Sequence, residues 1–486
     1  MPAWNLPTAR HLLRRTGFGA TRVAAQALLD SHATLGAAID ALLEFKPSKF
    51  KPGGRYVEDI HNKWLKYMIK TRQPLQERLV LFWHDHFATS YDKVGQVDLM
   101  ALQNRLLRVN CKGDFKALVK AINKDAAMME FLDTVRNRRN QPNENYAREL
   151  EELFTLGVKD PLGNDNYDQE DIVQIARAFS GWDYGNKGAA EFNDGQHDYA
   201  ADYPERGPKR IFKVRGGFGN AAGQDFTSAG EGAQEIDTVI DIIFQHRYGP
   251  GLRNTVADYI ARRLITYFAF SDPSASFVES VADASSFAGT WDIAALLKQI
   301  FLHDDFYLTA APPSAVTKKS VKWPIDYVVT TVRLLDMKLK GKYQATQGGD
   351  YRDARSALIN MGQSLFEPPS VFGWDWELAW LSSSTLLARY GFARDISNSR
   401  NGGATSLRPE RLMDLSLTDP VAIVAAVADI LGVDDQLSAG ERTALINYLT
   451  DGSGVGPVNL LDDNTRFEKL HGLFAVVLQS PAYQLQ

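Results

Sequence analysis

Ile60-His61-Asn62-Lys63-Trp64-Leu65-Lys66-Tyr67-Met68, followed by Pro74-Leu75-Gln76-Glu77-Arg78-Leu79-Val80-Leu81-Phe82-Trp83-His84-Asp85-His86-Phe87, are the stretches that decide the fold. Ile60, Trp64, Leu65 and Met68 stand at i, i+4, i+5 and i+8, the apolar stripe of an amphipathic helix. Pro74 opens a second helix, running from Leu75 to about Phe87. Proline's fixed φ and missing N–H cost nothing at the first helical position. The same period returns at Tyr146, Leu150, Leu153 and Phe154, where Gly157 reads as the stop. It returns again over 171–179, 256–270, 293–301, 326–335 and 467–478. Clear alternation is confined to Arg210-Ile211-Phe212-Lys213-Val214, enough for one short hairpin. The expectation is a mostly α protein, a single large multi-helical domain over 1–486 with at most a short β-hairpin. Residues 183–235, rich in Gly, Asp and Asn, form an irregular loop region within it. A loop of that length in a compact domain is usually functional or disordered. Asn401-Gly402-Gly403-Ala404 and Asp451-Gly452-Ser453-Gly454 mark later surface loops.

Composition narrows the function. The balance of 54 Lys+Arg against 59 Asp+Glu supplies no basic face for nucleic acid. The only cysteine is Cys111, so any metal must be held by His, Asp and Glu. No stretch approaches the ~18 apolar residues of a membrane span. Met1 to Leu13 lacks the apolar run of a secretory signal, which reads as cytoplasmic. There is no phosphate-binding Gly-x-x-x-x-Gly-Lys loop and no Gly-x-Ser-x-Gly elbow.

Four constellations carry possible chemistry. The first is His84-Asp85-His86, two imidazoles and a carboxylate suited to a divalent metal. On a regular helix the two histidines stand about 200° apart, which restrains that reading unless the helix ends near His86. The second is Asn145-Tyr146-Ala147-Arg148-Glu149-Leu150-Glu151-Glu152. At ~100° per residue Asn145, Glu149 and Glu152 share one face beside the apolar stripe. Half-buried acids need a metal or a cation such as Arg148 or Arg177. The third is His197-Asp198 in the irregular region, followed by Lys209. The fourth is the rigid aromatic loop Glu367-Pro368-Pro369-Ser370-Val371-Phe372-Gly373-Trp374-Asp375-Trp376-Glu377-Leu378-Ala379-Trp380. Its three indoles can form a platform for a flat ligand or plug the core.

With these residues the chain resembles a bacterial family of unknown function, domain of unknown function 1800. The resemblance rests on His11-Leu12-Leu13-Arg14-Arg15-Thr16-Gly17-Phe18-Gly19, Phe82 to Ser90, Asn143 to Leu150, Ala176 to Trp182, His197-Asp198, Phe366-Glu367-Pro368-Pro369 and Ser480 to Leu485. It implies a mostly helical fold and no assured activity. In that family both histidines of the His-x-His element recur while the middle residue varies, which favours His84 and His86 over Asp85. The family's His-Asp is followed within a few residues by Gly-x-Lys. Here residues 199–206 lengthen the gap and put the role of Lys209 in doubt. The family's Trp-Pro-Gly-Gly-like turn is replaced by Trp374-Asp375-Trp376-Glu377. The resemblance further implies a partner, a secreted phosphatase-like protein of the domain of unknown function 1501 family, and export to the periplasm or beyond together with it.

Two functions compete. One is a metal-dependent hydrolase or lyase. His84, His86, Glu149, His197 and Asp198 would do the chemistry, and these with Glu152 would ligate a divalent metal ion. Arg148, Trp374, Trp376 and Trp380 would contact substrate. The other is a non-catalytic partner or maturation protein whose polar residues form a buried structural network. A sharper expectation is that His86 and Glu149 share one polar site, since each is costly to bury unsatisfied.

Overall fold

The helix Val57–Lys70 buries Ile60, Trp64, Leu65 and Met68, the stripe its spacing announces. Pro74–His86 follows after three residues and is buried from Leu75 to its end, polar residues included. A helix buried all round sits at the centre of its neighbours. Its charged residues are matched there. Glu77 pairs with Arg108 of the helix Val97–Asn110 and accepts the Trp64 indole N–H at 2.8 Å. Arg78 pairs with Asp326 of the helix Pro324–Leu334.

The computed structural model describes residues 2–199, 207–213, 215–216, 224–225, 232–308, 320–337, 354–398 and 407–486. Helix makes up 60% of it, so the mostly α class holds. One cluster of buried hydrophobic side chains runs from Leu12 to Tyr483. The first helix, Leu6–Thr16, reaches far along the chain: Arg14 pairs with Asp435 at 2.7 Å, and Arg15 donates to the carbonyl oxygen of Gln486 at 2.6 Å. Among the described residues no helix is long and apolar enough to cross a membrane.

Strand among the described residues is limited to three antiparallel pairs of two or three residues each. Trp182–Tyr184 pairs with Ala190–Phe192, with Trp182 opposite Phe192. Arg210–Ile211 pairs with Gln224–Asp225, and so contains the start of the alternating run read in the sequence. Arg247–Tyr248 pairs with Arg253–Asn254. The helix Gly232–Ile243 takes the last four residues assigned to the irregular region. Ile236, Val239, Ile240 and Ile243 form its buried stripe. The expected loop at 401–404 lies outside the described residues, whereas that at 451–454 is a turn after the helix Ala439–Leu449.

Candidate functional site

The helix Pro74–His86 does end at His86, with Phe87 as its C-cap. His84 and His86 nevertheless point to different neighbours. His84 Nε2 accepts the backbone N–H of Phe366 at 3.0 Å, and its ring lies among Trp64, Phe366 and Trp374. Burial pushes its pKa down to about 3, so it is neutral at ordinary pH. His86 Nε2–H donates to the carbonyl of Phe154 at 3.1 Å. Burial holds its pKa well below the usual range, and the Arg263 guanidinium adds to the effect. Asp85, between them, turns a third way. Its Oδ1 accepts the Trp374 N–H at 2.8 Å, and Oδ2 lies 3.8 Å from Arg263. Burial raises its pKa to about 7 against the opposing pull of Arg263. Gly373 is required here. It has φ +82°, and a Cβ would stand 2.3 Å from Asp85 Oδ1. The three residues thus tie the central helix to the aromatic loop, to Arg263 and to the segment around Phe154.

Phe154 belongs to a π-helical turn, Leu150–Thr155, that continues the short helix Asn145–Glu149. Such a turn holds one residue more than the regular pitch and is frequent at functional sites. It rotates the later side chains away from the faces read at ~100° per residue. Glu151 is consequently fully buried, and neither of its oxygens has a hydrogen-bond partner among the described residues. Burial and the nearby Asp171, Asp168 and Glu152 hold its pKa well above the usual range. Glu149 and Glu152 do act on each other, as their spacing suggested. Burial, then the charge of Glu152, raises half-buried Glu149 to about 7. Arg148 lies 3.4 Å from Glu152 and 3.4 Å from Glu144, and donates to Gln169 at 2.8 Å. Tyr167 hydrogen-bonds Glu152. The charges acting on Glu149 are Glu152 and Arg148, while His86 feels the charge of Arg263 and the hydrogen bond to the Phe154 carbonyl. The expected His86–Glu149 pair does not form, because His86 meets the backbone of the wide turn rather than the acid before it.

His197 and Asp198 lie in a third place. Gly181, with φ +85°, donates its N–H to Asn137 and accepts from Asn193; a Cβ there would stand 2.7 Å from the Asn193 carbonyl. This close approach returns the chain so that His197 meets Ser180. His197 Nδ1–H donates to the Ser180 carbonyl at 2.8 Å, which orients the ring and turns Nε2 towards Lys209 and Glu235. That is how a metal-ligating imidazole is usually oriented. The cation at Nε2, however, is the ammonium of Lys209, 3.2 Å away. Glu235 Oε2 also lies 3.2 Å from Nε2 and pairs with Lys209. Burial lowers the Lys209 pKa, and Glu235 opposes that shift. Asp198 takes two hydrogen bonds from Arg177, from Nε at 3.3 Å and Nη2 at 3.2 Å, and its N–H donates to Ser180 Oγ at 2.8 Å. Each of these side chains is at most 3% exposed. Among the described residues Arg177 pairs with Asp198, and Lys209 with Glu235.

The residue the sequence reading missed is Glu235. Its signal was present: it stands four residues before Val239, on the apolar stripe of its helix, where an acid needs a buried partner. Lys209 regains a role in spite of the lengthened gap before it. Among the described residues, no three His, Cys, Asp or Glu side chains come together so as to hold a metal ion. His84, His86, the acids Glu149 and Glu152, and the pair His197–Asp198 each meet different partners.

The chain matches the family described as "Protein of unknown function (DUF1800)" over residues 11–485. It belongs to that family. No curated protein and no solved structure matches it. In this DUF1800 protein the aromatic loop is divided between core and surface. Trp374 and Trp380 are each 3% exposed and pack into the core. Trp376 is half-buried under the Arg263 guanidinium, 5.3 Å from the ring centre, and beside Trp323. Phe372 and Leu378, on the same loop, are 68% and 78% exposed, and Leu387 on the next helix is 69% exposed.

Proposed function

We propose that this DUF1800 protein is a non-catalytic partner or maturation protein, and that it binds a secreted phosphatase-like protein of the DUF1501 family. The observation that carries this reading is the use made of the motif residues. His84, His86, His197 and Asp198 are buried and bonded to backbone groups or to Arg177 and Lys209. Residues held in this way support a structural role. Phe372, Leu378 and Leu387 offer the exposed apolar contacts that a docking surface uses. The resemblance supplies the partner class and, with it, export of the two together.

A metal-dependent hydrolase or lyase is the second reading. Half-buried Glu149, with its pKa near 7 beside Arg148, favours it, since a general acid–base group works best near the operating pH. Co-expression with the DUF1501 protein of the same genome separates the two. The first reading expects a stable complex that Leu378→Glu with Phe372→Ser weakens at least tenfold in Kd, with Tm unchanged and no stoichiometric metal by elemental analysis. A protein that binds one equivalent of metal, and has no affinity for that partner, would establish the second reading instead.

A further inference from the structure

A cleft of about 270 Å3 lies between the loop after the π-helical turn and the Arg247–Asn254 hairpin. That is just below the ~300–1,000 Å3 of most small-molecule sites. Its charges are unevenly matched. Asp160 already accepts from Leu162 N, Asn164 N and Asn164 Nδ2 at 2.8–3.0 Å. Asp165 is paired with Lys159 at 2.9 Å. Arg215 donates from Nη1 to the Asp165 backbone carbonyl at 3.1 Å, and its Nε is buried with no hydrogen-bond partner among the described residues. Arg215 lines the cleft, and a guanidinium there suits an oxyanion. Arg247 brings a second guanidinium, positioned by its own Nη1 bond to the Leu252 carbonyl at 3.0 Å.

Tyr248 and Leu252 also line the cleft. The Tyr248 hydroxyl is turned away to Asp258 at 2.8 Å, and Asp258 is held in turn by Arg253. The ring therefore lines the cleft without offering its hydroxyl. Leu252 stands at the rim, 51% exposed, with φ +49°, a left-handed conformation that a branched aliphatic residue rarely adopts. Such backbone strain concentrates at ligand clamps. Apolar and guanidinium groups lining one small cleft match a ring that carries an anionic substituent.

The geometry points to a binding site for a single pyranose that carries a carboxylate or a phosphate, its anionic group on Arg215 and its apolar face on Tyr248 and Leu252. Calorimetric titration of the full chain with glucuronate, glucose 6-phosphate, glucose and inorganic phosphate tests it. One of the two anionic sugars should saturate the protein at least tenfold more tightly than glucose. Which of them does so tells carboxylate from phosphate. Arg215→Gln should weaken that binding at least tenfold at an unchanged Tm. If that variant does not fold, Arg247→Gln decides in its place. The proposal is overturned if neither sugar saturates, if inorganic phosphate binds as well as glucose 6-phosphate while glucuronate does not bind, or if both folded variants bind like the parent chain.

Discussion

Replacing Lys209 by Met removes the ammonium that lies against His197 and Glu235. Glu235 is 2% exposed and its Oε1 already lacks a hydrogen-bond partner among the described residues. The variant therefore strands a buried carboxylate. Breaking a buried ion pair from one side costs about 3–5 kcal/mol, whereas replacing both partners by apolar residues is often close to neutral. At about 2.1 cal/mol/K per residue, the 486-residue chain has an unfolding entropy of roughly 1 kcal/mol/K if it melts as one unit. Lys209→Met should therefore lower Tm by about 3–5 °C in differential scanning calorimetry. Lys209→Met with Glu235→Leu should recover most of that loss. Chelators should leave the parent chain's Tm unchanged, because the cation of this cluster is the chain's own. A single variant within about 1 °C of the parent would refute the reasoning, as would a double variant that loses more than the single one.

The raised carboxyl of Glu149 gives a pH signature. Its folded pKa, about 7, lies above the unfolded value of about 4.3, so the protonated form is the one that folding favours. Its contribution is complete below about pH 4 and is lost as pH rises through 7. Glu149→Gln should flatten the fall in Tm between roughly pH 5 and 8, and an unaltered slope would show that another group controls it. His86→Ala leaves the Phe154 carbonyl without its donor. It should cost about 1–3 kcal/mol in urea unfolding with no change in metal content, and loss of a bound metal would instead place His86 in a metal site.

The sequence by itself determined the helices, because amphipathic periodicity is a local property. Ile60, Trp64, Leu65 and Met68 all face the core as their spacing requires, and Pro74 begins its helix. The polar residues the sequence singled out, His84, His86, Glu149, His197 and Asp198, all prove wholly or partly buried. The roughly 200° of helical turn between His84 and His86 restrained their convergence without excluding it, and in the fold they meet different neighbours. Tertiary structure alone decided their partners. Glu235 stands 38 residues from His197, and Phe366 stands 282 residues from His84. No pattern of period 3.6 reaches that far. The π-helical turn at Leu150–Thr155 lay equally beyond the sequence. It buries Glu151, while Glu149 and Glu152 still act on each other as their spacing suggested. The cation beside His197 is likewise a tertiary outcome: burial demands a positive charge near Glu235, and the fold supplies it from Lys209.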